Sequence, residues 1–276
     1  MFTINCKGKI LGIEQPLVMG ILNATPDSFY KGDLNDETAF EKIRLMVQQG
    51  ASIIDVGGQS TRPGSLRIDA VEEAERILPF VEHIAAIHPG VFISVDTYHS
   101  LVAREAVQAG AHMINDVSAG NMDAEMISTV ASLGVPYICM HMKGTPETMQ
   151  QNPVYENILK EILDFFIAKI AECQKAGIKD VIVDPGFGFG KTVDQNFWLL
   201  KHMHLFGMLE KPLLAGLSRK SSIYKTLDIT AAESLNGSTV MHTIALQNGA
   251  NILRVHDVKE AIEAVALTEK YKKTAL

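Results

Sequence analysis

The chain has 276 residues, of which 47% are hydrophobic, so it can bury a large core in one or two domains. Its formal net charge of −7 gives no broad positive surface for nucleic acid, and an anionic ligand would need a local basic cluster. Cys6, Cys139 and Cys173 have no metal or redox spacing, and we expect them to be reduced. No apolar run reaches the roughly 18 residues of a membrane span, and no secretory signal pattern is present. We therefore expect a soluble, cytoplasmic protein.

The predicted secondary structure repeats one unit after a short N-terminal hairpin. Residues 3–14 alternate loosely around two glycines, which predicts a hairpin that plugs one end of the fold. A short apolar strand followed by a helix then recurs eight times. The strands are predicted at residues 17–22, 53–56, 91–95, 113–114, 135–140, 181–183, 213–217 and 251–255. The helices are predicted at 36–49, from a cap at Asp69, 100–109, 124–133, from a cap at Asn152, 195–204, 231–247 and from a cap at Asp257.

These eight units follow one another without a linker, which predicts a single domain over residues 1–276. Apolar strands that alternate with helices imply βαβ units and a parallel sheet. Eight units in a chain of this length predict an α/β fold, a (β/α)8 TIM barrel with a short N-terminal β-hairpin. An open, doubly wound sheet is the weaker alternative.

The stretch DVIVDPGFGFGKT (180–192) joins a buried strand to a glycine-rich loop. The strand ends in Asp184, and the rings of Phe187 and Phe189 need a flat or apolar surface on which to pack. A phosphate-binding loop would require glycine where Pro185 stands, and a dinucleotide fingerprint would require glycine where Lys191 stands. An acid beneath an aromatic loop indicates a small-molecule pocket, and a plain strand-to-helix turn is the alternative interpretation.

Polar side chains end most of the predicted strands, and in barrels these ends form the active site. They are Asn23, Asp55, Asp96, Asn115 with Asp116, His141, Asp184, Lys220, and Arg254 with His256. Asp96, Asn115 and Asp184 suit a flat heterocycle rich in N–H donors and carbonyls. Lys220, Arg254 and His256 come from the ends of the last two strands, where barrels commonly bind phosphate, and a helix beginning near Ser221 would add its N-terminal amides. Any one of these residues could simply meet solvent, but a ring of acids, amides and bases favours a site.

The motifs together match a known family in the right order. They are GILNATPDSF (20–29), DVGG (55–58), STRPG (60–64), DT (96–97), ND (115–116), DPGFGFGK (184–191), GLSRK (216–220) and RVHD (254–257). On these motifs the chain resembles the bacterial dihydropteroate synthase family over nearly its full length. One departure is Gln59, where we expect the family to carry glutamate, so no charge-dependent role is assigned there.

The resemblance implies that 4-aminobenzoate displaces pyrophosphate from 6-hydroxymethyl-7,8-dihydropterin pyrophosphate, which gives 7,8-dihydropteroate for folate synthesis. It also implies Mg²⁺ as cofactor, a homodimer, and a target of sulfonamides, although the sequence does not give the affinity for them. The implied pterin residues are Asp96, Asn115, Met140, Asp184, Lys220 and Arg254. The implied pyrophosphate residues are Asn23, Arg62, Arg254 and His256, with Asn23 also a ligand of Mg²⁺. The implied 4-aminobenzoate residues are Phe29, Thr61, Pro63, Phe189, Lys220 and Ser221. The implied catalytic residues are Asp96, Asp184, Lys220, Arg254 and His256.

The mechanism that we expect is dissociative. Pyrophosphate leaves first, neutralised by Mg²⁺, Arg254 and His256, and the pterin cation is stabilised by nearby carboxylates until the aromatic amine attacks. Two alternatives share the pterin pocket: a methyltetrahydrofolate methyltransferase on the same barrel, and a non-catalytic pterin-binding protein. Neither requires the cationic residues of the last two strands.

Overall fold

Short apolar segments form the strands that the sequence predicts. A computed structural model of the chain describes residues 1–24, 37–59, 67–145, 148–149 and 153–275. Strands β1 and β2 form an antiparallel hairpin, and eight parallel strands form the barrel in the order β8-β7-β6-β5-β4-β3-β10-β9. A parallel bridge between Val183 and Leu213 joins β8 to the start of β9 and closes the ring. The prediction of a TIM barrel with an N-terminal hairpin is confirmed.

The strands are β1 (Phe2–Cys6), β2 (Lys9–Ile13), β3 (Leu17–Asn23), β4 (Ile53–Gly57), β5 (Phe92–Asp96), β6 (Met113–Asp116), β7 (Tyr137–Met140), β8 (Val181–Asp184), β9 (Leu214–Ala215) and β10 (Ile252–Val255). The helices are α1 (Glu37–Gln48), α2 (Ala70–Ile87), α3 (Ser100–Gln108), α4 (Met126–Leu133), α5 (Ile158–Ala176), α6 (Val193–Lys201), α7 (Ser221–Leu227), α8 (Leu235–Gln247) and α9 (Val258–Lys273), with a 3₁₀ helix at Met203–Leu209. In the described part of the chain, no helix is long and apolar enough to cross a membrane.

The hairpin closes the amino-terminal end of the barrel. Each barrel strand contributes one buried apolar side chain to a cluster with the hairpin: Met19, Ile53, Phe92, Met113, Ile138, Ile182, Leu214 and Ile252 pack with Ile4, Cys6, Leu11 and Ile13. Each large apolar side chain buried in this way contributes about 1.5–3 kcal/mol to folding. The predicted plug is confirmed, and this end is filled with hydrocarbon, so polar chemistry is confined to the opposite end.

Several helix starts follow local capping signals. Asp69 accepts a hydrogen bond from the backbone N–H of Glu72 at 2.9 Å, as predicted. Thr192 and Gln195 form a capping box at the start of α6. Asp257 is the N-cap residue of α9, as predicted, but its side chain makes no capping hydrogen bond, because its carboxylate binds Arg219.

Helix α5 begins later than predicted. It starts at Ile158, and the side chain of Asn157 accepts a hydrogen bond from the N–H of Lys160 at 3.1 Å. Asn152, the predicted cap, lies outside the described residues, and Pro153 is not helical. Asn157 directly precedes the first buried residue of the helix, so it is the asparagine that caps the amphipathic segment. Helix α8 likewise starts at Leu235 rather than at residue 231, after a turn at residues 231–234.

Candidate active site at the carboxyl ends of the strands

A buried ion network lies at the centre of the carboxyl-terminal end of the barrel. The Arg254 guanidinium donates from Nε to Asp55 Oδ2 and from Nη2 to Asp96 Oδ2, both at 2.6 Å. Asn115 donates its side-chain amide to Asp55 Oδ2 at 3.0 Å. These four side chains come from β10, β4, β5 and β6, so the barrel assembles them from distant parts of the chain.

The network is electrostatically balanced around Arg254. Burial alone would lower the pKa of Arg254, but the carboxylates of Asp55 and Asp96 raise it above its ordinary value. Burial raises the pKa of Asp96, and the Arg254 guanidinium opposes that shift. Arg254 therefore stays cationic. Its two carboxylate partners fix the orientation of the planar guanidinium in the site.

Asp184 ends β8 beside Met140, its register partner in β7. Its Oδ1 accepts the backbone N–H of Gly186 at 2.8 Å. Burial raises the pKa of Asp184, while the Gly186 hydrogen bond and the charges of Lys220 and Arg254 oppose this. The carboxylate is thus held in a fixed orientation at the mouth of the barrel.

The loop after Asp184 lies directly on the segment that follows β7. Gly186 has a φ of +70°, and a Cβ added there would lie 1.9 Å from the carbonyl oxygen of His141. Gly190 has a φ of +63°, and its added Cβ would lie 2.4 Å from the carbonyl oxygen of Lys143. Only glycine allows this contact, because both the space and the left-handed backbone exclude a side chain.

The two aromatic rings of this loop point in different directions. Phe187 is buried in the core between strands and helices, whereas Phe189 joins a cluster at the site with Tyr98, Val117, Met140 and Met149. Lys220 Nζ lies 4.3 Å above the centre of the Phe189 ring. Burial, together with the nearby charge of Arg254, lowers the pKa of Lys220 to about 8. Phe189 and Lys220 therefore form one wall that can meet both a ring and a carboxylate.

His256 and Ser218 lie on the other side of the mouth. Ser218 Oγ accepts the backbone N–H of His256 at 3.2 Å and lies 3.0 Å from His256 Nδ1. The hydroxyl can donate to Nδ1 or accept from it, so this contact fits either neutral tautomer of the ring. Burial and the charge of Arg254 lower the pKa of His256 to about 3. The low pKa favours a neutral imidazole that offers a hydrogen bond, and the expected role of His256 at the pyrophosphate stays a prediction.

A bidentate ion pair joins the two loops that carry Lys220 and His256. Arg219 donates from Nε and Nη2 to the two oxygens of Asp257, each at 2.9 Å. Arg219 also donates to the backbone carbonyls of residues 231 and 232, and Ser238 Oγ accepts its backbone N–H. The loops after β9 and β10 are thereby tied together.

The structure brings most of the predicted site residues to one end of the barrel. Asp96, Asn115, Met140, Asp184, Phe189, Lys220, Arg254 and His256 take part in the contacts above. Asn23 ends β3 in register with Gly57, which is in turn in register with Asp96, and Ser221 begins α7 directly after Lys220. The predicted residues Phe29, Thr61, Arg62 and Pro63 lie outside the described residues.

The described residues contain no group of three or more His, Cys, Asp or Glu side chains that could hold a metal ion. The carboxylates of Asp55 and Asp96 are committed to Arg254. Asn23 can offer one amide oxygen, which fits a Mg²⁺ that takes its other ligands from a bound polyphosphate and water.

Comparison with known proteins identifies the family. A family model described as pterin binding enzyme matches residues 19–256, almost the whole barrel. The chain belongs to the pterin-binding enzyme family. Among its relatives, the dihydropteroate synthase of Escherichia coli strain K12 is 44% identical over 267 residues, 95% of this chain and 94% of that protein. The resemblance to dihydropteroate synthases inferred from the motifs is confirmed.

Two solved structures of the family have the same fold. The dihydropteroate synthase of Yersinia pestis in a sulfonamide drug complex has a TM-score of 0.94 and 39% identity, with 99% of this chain and 100% of that chain covered. The enzyme of Xanthomonas albilineans in complex with 7,8-dihydropteroate has a TM-score of 0.89 and 35% identity, with the same coverage.

Within this family fold, several site residues escaped the sequence analysis. Asp55 was recognised at a strand end but given no role, although it holds both Arg254 and Asn115. Its position could have indicated a role, because Asp55 lies within a strand whose five residues are all buried, and a buried charge is costly unless it is paired. The pair of Arg219 and Asp257 gave no such signal, because both residues are common at loop surfaces.

Gln59 acts as a hydrogen-bond acceptor, a role that does not depend on charge. Its Oε1 accepts the backbone N–H of Ile68 at 2.9 Å and the hydroxyl of Tyr98 at 3.2 Å. A glutamate carboxylate could accept the same two hydrogen bonds, so the departure at this position preserves the acceptor.

Proposed function

We propose that this chain is a dihydropteroate synthase, a transferase that joins 4-aminobenzoate to 6-hydroxymethyl-7,8-dihydropterin pyrophosphate and releases pyrophosphate. The observation that carries the proposal is the site itself. It places acceptors for a heterocycle next to cations for a leaving anion, in a chain similar along 95% of its length to a dihydropteroate synthase. A methyltetrahydrofolate methyltransferase would need no such cations.

The acceptor side suits the pterin ring. The carboxylates of Asp96 and Asp184 and the amide of Asn115 can pair with its N–H donors and carbonyl. Met140 offers a polarisable, apolar contact, and the planar guanidinium of Arg254 can stack on a ring face. Because these groups are buried and already oriented by Asp55 and Gly186, they would lose little freedom on binding.

The opposite side suits the pyrophosphate. Arg254 and Lys220 supply positive charge, and the His256 imidazole supplies a hydrogen-bonding group. Asn23 would hold Mg²⁺ together with pyrophosphate oxygens and water, and the bound ion would neutralise charge on the leaving group. Arg62, which the resemblance adds to this set, lies outside the described residues.

The wall of Phe189 and Lys220 suits 4-aminobenzoate. The ring would pack on Phe189, while Lys220 and the hydroxyl of Ser221 would meet its carboxylate. Phe29, Thr61 and Pro63, implied by the resemblance, would complete this pocket from outside the described residues.

The reaction that we propose is dissociative. The methylene C–O bond breaks and its electron pair leaves with pyrophosphate, which leaves a cation delocalised over the pterin. The buried carboxylates of Asp96 and Asp184 stabilise this cation electrostatically. The lone pair of the aromatic amine then forms the new C–N bond, and its extra proton passes to solvent.

We also propose that the protein is cytoplasmic and forms a homodimer. Its three cysteines are buried and unpaired, which fits a reducing compartment. Val240 in α8 and Leu267 and Tyr271 in the adjacent α9 are 53%, 73% and 73% exposed, and a second copy could cover these large apolar side chains. Leu267→Lys should then shift the mass measured by light scattering to that of a monomer, whereas Ile87→Lys on α2 should leave it unchanged.

The first test measures pyrophosphate release from the dihydropterin pyrophosphate with and without 4-aminobenzoate, in the presence and absence of Mg²⁺. Release matched to dihydropteroate formation supports the synthase. Asp184→Asn should reduce pterin affinity and turnover together, while Asp164→Asn, an exposed acid on α5, should change neither. Pterin binding without release, or near-normal turnover of Asp184→Asn, would contradict the assignment.

A further inference from the structure

Lys191 is a buried cation at the end of the glycine-rich loop, and no role proposed above uses it. Its side chain is 3% exposed. Nζ donates to the carbonyl oxygens of Gly186 at 2.9 Å and Phe189 at 3.0 Å, and it lies 3.1 Å from His141 Nδ1. In the described residues its nitrogen is surrounded by neutral acceptors and forms no ion pair.

Burying an ammonium group costs free energy, and this cost appears as a lowered pKa. Burial lowers the pKa of Lys191 to about 7. His141 compensates in part: burial and the charge of Lys191 lower its own pKa to about 2, so the ring is neutral and Nδ1 accepts a hydrogen bond. An apolar side chain could fill the same space without desolvating a charge. We therefore infer that the polar contacts of Lys191 have a role beyond filling space.

The two carbonyls that Lys191 binds belong to residues that orient the site. Gly186, whose carbonyl accepts from Lys191, donates its N–H to Asp184 Oδ1. Phe189, whose carbonyl also accepts from Lys191, carries the ring beneath Lys220. One nitrogen atom thus fixes the turn that presents both a pterin-binding carboxylate and the aromatic wall.

The charge of Lys191 also acts directly on this carboxylate. Lys191 is one of three cations, with Lys220 and Arg254, that oppose the rise in the pKa of Asp184 caused by burial. Asp184 in turn favours the charged form of Lys191, and Lys220 disfavours it. His141, whose pKa is lowered by burial and by the charges of Lys191 and Lys143, faces the ammonium as a neutral ring.

We propose that Lys191 is a positioning residue for the reaction: its buried ammonium locks the 186–189 turn and keeps Asp184 ionised and aimed at the pterin, while Phe189 faces the second substrate. This role rests on the proposed synthase function. It gives Lys191 a role that the sequence analysis did not assign.

The test compares Lys191→Met, which keeps the length of the chain without charge or donors, with Val130→Ala, a core truncation in α4 remote from the loop. For both variants and the wild type we would measure Tm, the affinity for 6-hydroxymethylpterin from pH 5 to 9 by calorimetry, and kcat and KM for both substrates. Lys191→Met should bind pterin about tenfold more weakly or worse, since the carboxylate loses both its orientation and a favourable charge. The acid limb of its affinity profile should move to higher pH.

The control separates positioning from stability. Val130→Ala should lower Tm but leave the pterin affinity and its pH profile unchanged. If Lys191→Met does not fold, Lys191→Gln, which keeps two N–H donors without the charge, carries the same test of the pH profile. A folded variant with affinity and pH profile like those of Val130→Ala would overturn the role of Lys191 alone. Absence of pterin binding by the wild type would overturn the proposed function, and this role with it.

Discussion

The substitution Asp55→Asn should weaken both the fold and the site, because Asp55 is the hub of the central ion network. Its side chain is fully buried, and its Oδ2 accepts from Arg254 at 2.6 Å and from Asn115 at 3.0 Å. Asparagine has nearly the same shape, so the change removes charge with little loss of packing.

The size of the effect depends on the interactions that Arg254 retains in the variant. Removing one partner of a buried ion pair typically costs about 3–5 kcal/mol, because the other charge is left without compensation. Here Arg254 retains Asp96 at 2.6 Å, and the asparagine oxygen can still accept from Nε. We therefore expect the free energy of unfolding to fall by about 3 kcal/mol, which lowers Tm by about 6–12 °C in a chain of this size.

The assay is urea unfolding and differential scanning fluorimetry, together with the rate of dihydropteroate formation. Turnover should fall as well, because Arg254 then has only one fixed anchor. Asp164→Asn, which removes an exposed carboxylate that pairs with Lys160, should change the free energy of unfolding by less than about 1 kcal/mol. If Asp55→Asn matched that control in stability and the wild type in rate, the network would not hold Arg254 as we infer.

Three further substitutions test other parts of the structure. Gly186→Ala should destabilise by about 3 kcal/mol in chemical denaturation, because its Cβ would lie 1.9 Å from the His141 carbonyl, whereas Gly134→Ala, with φ +67° but open space, should cost only about 1 kcal/mol. Burial raises the pKa of Glu73 to about 8, so the folded protein binds the extra proton, and the contribution of Glu73 to stability should fall as pH rises from about 4.5 to 8. Glu73→Gln should remove that contribution and be the more stable protein at pH 9, by up to about 5 kcal/mol, and a stability difference between the two proteins that does not change with pH would contradict the assignment. Arg219→Lys should break the bidentate pair with Asp257 and weaken pyrophosphate binding about tenfold, with pterin affinity unchanged in calorimetry; a loss of both affinities would instead indicate general damage to the barrel.

The site could be located from the sequence because parallel topology constrains it. Once eight strand–helix units are recognised, the residues that end the strands must meet at one end of the barrel, however far apart they are in the chain. Asp96, Asn115, Asp184 and Arg254 were found in this way. The cap at Asp69 was predicted because its hydrogen bond spans only three residues.

The interactions inside the site could not be read in the same way. Asp55 and Arg254 are 199 positions apart, and no local sequence pattern at either residue predicts that the two will pair. The same limit applies to Phe187 and Phe189, which look alike in sequence but face the core and the site respectively. It also applies to His256, whose neutral state depends on burial and on Arg254.

The sequence by itself therefore determined the class of fold, the end of the barrel that carries the chemistry, and the types of side chain available there. These properties depend on hydrophobic periodicity and on short motifs, which are local and act within a few residues. Only the tertiary structure decided which charges pair, which hydrogen bonds orient Asp184, and why a lysine is buried under its loop. Those choices depend on distance and desolvation between segments that are remote in the chain, and both are fixed only when the barrel closes.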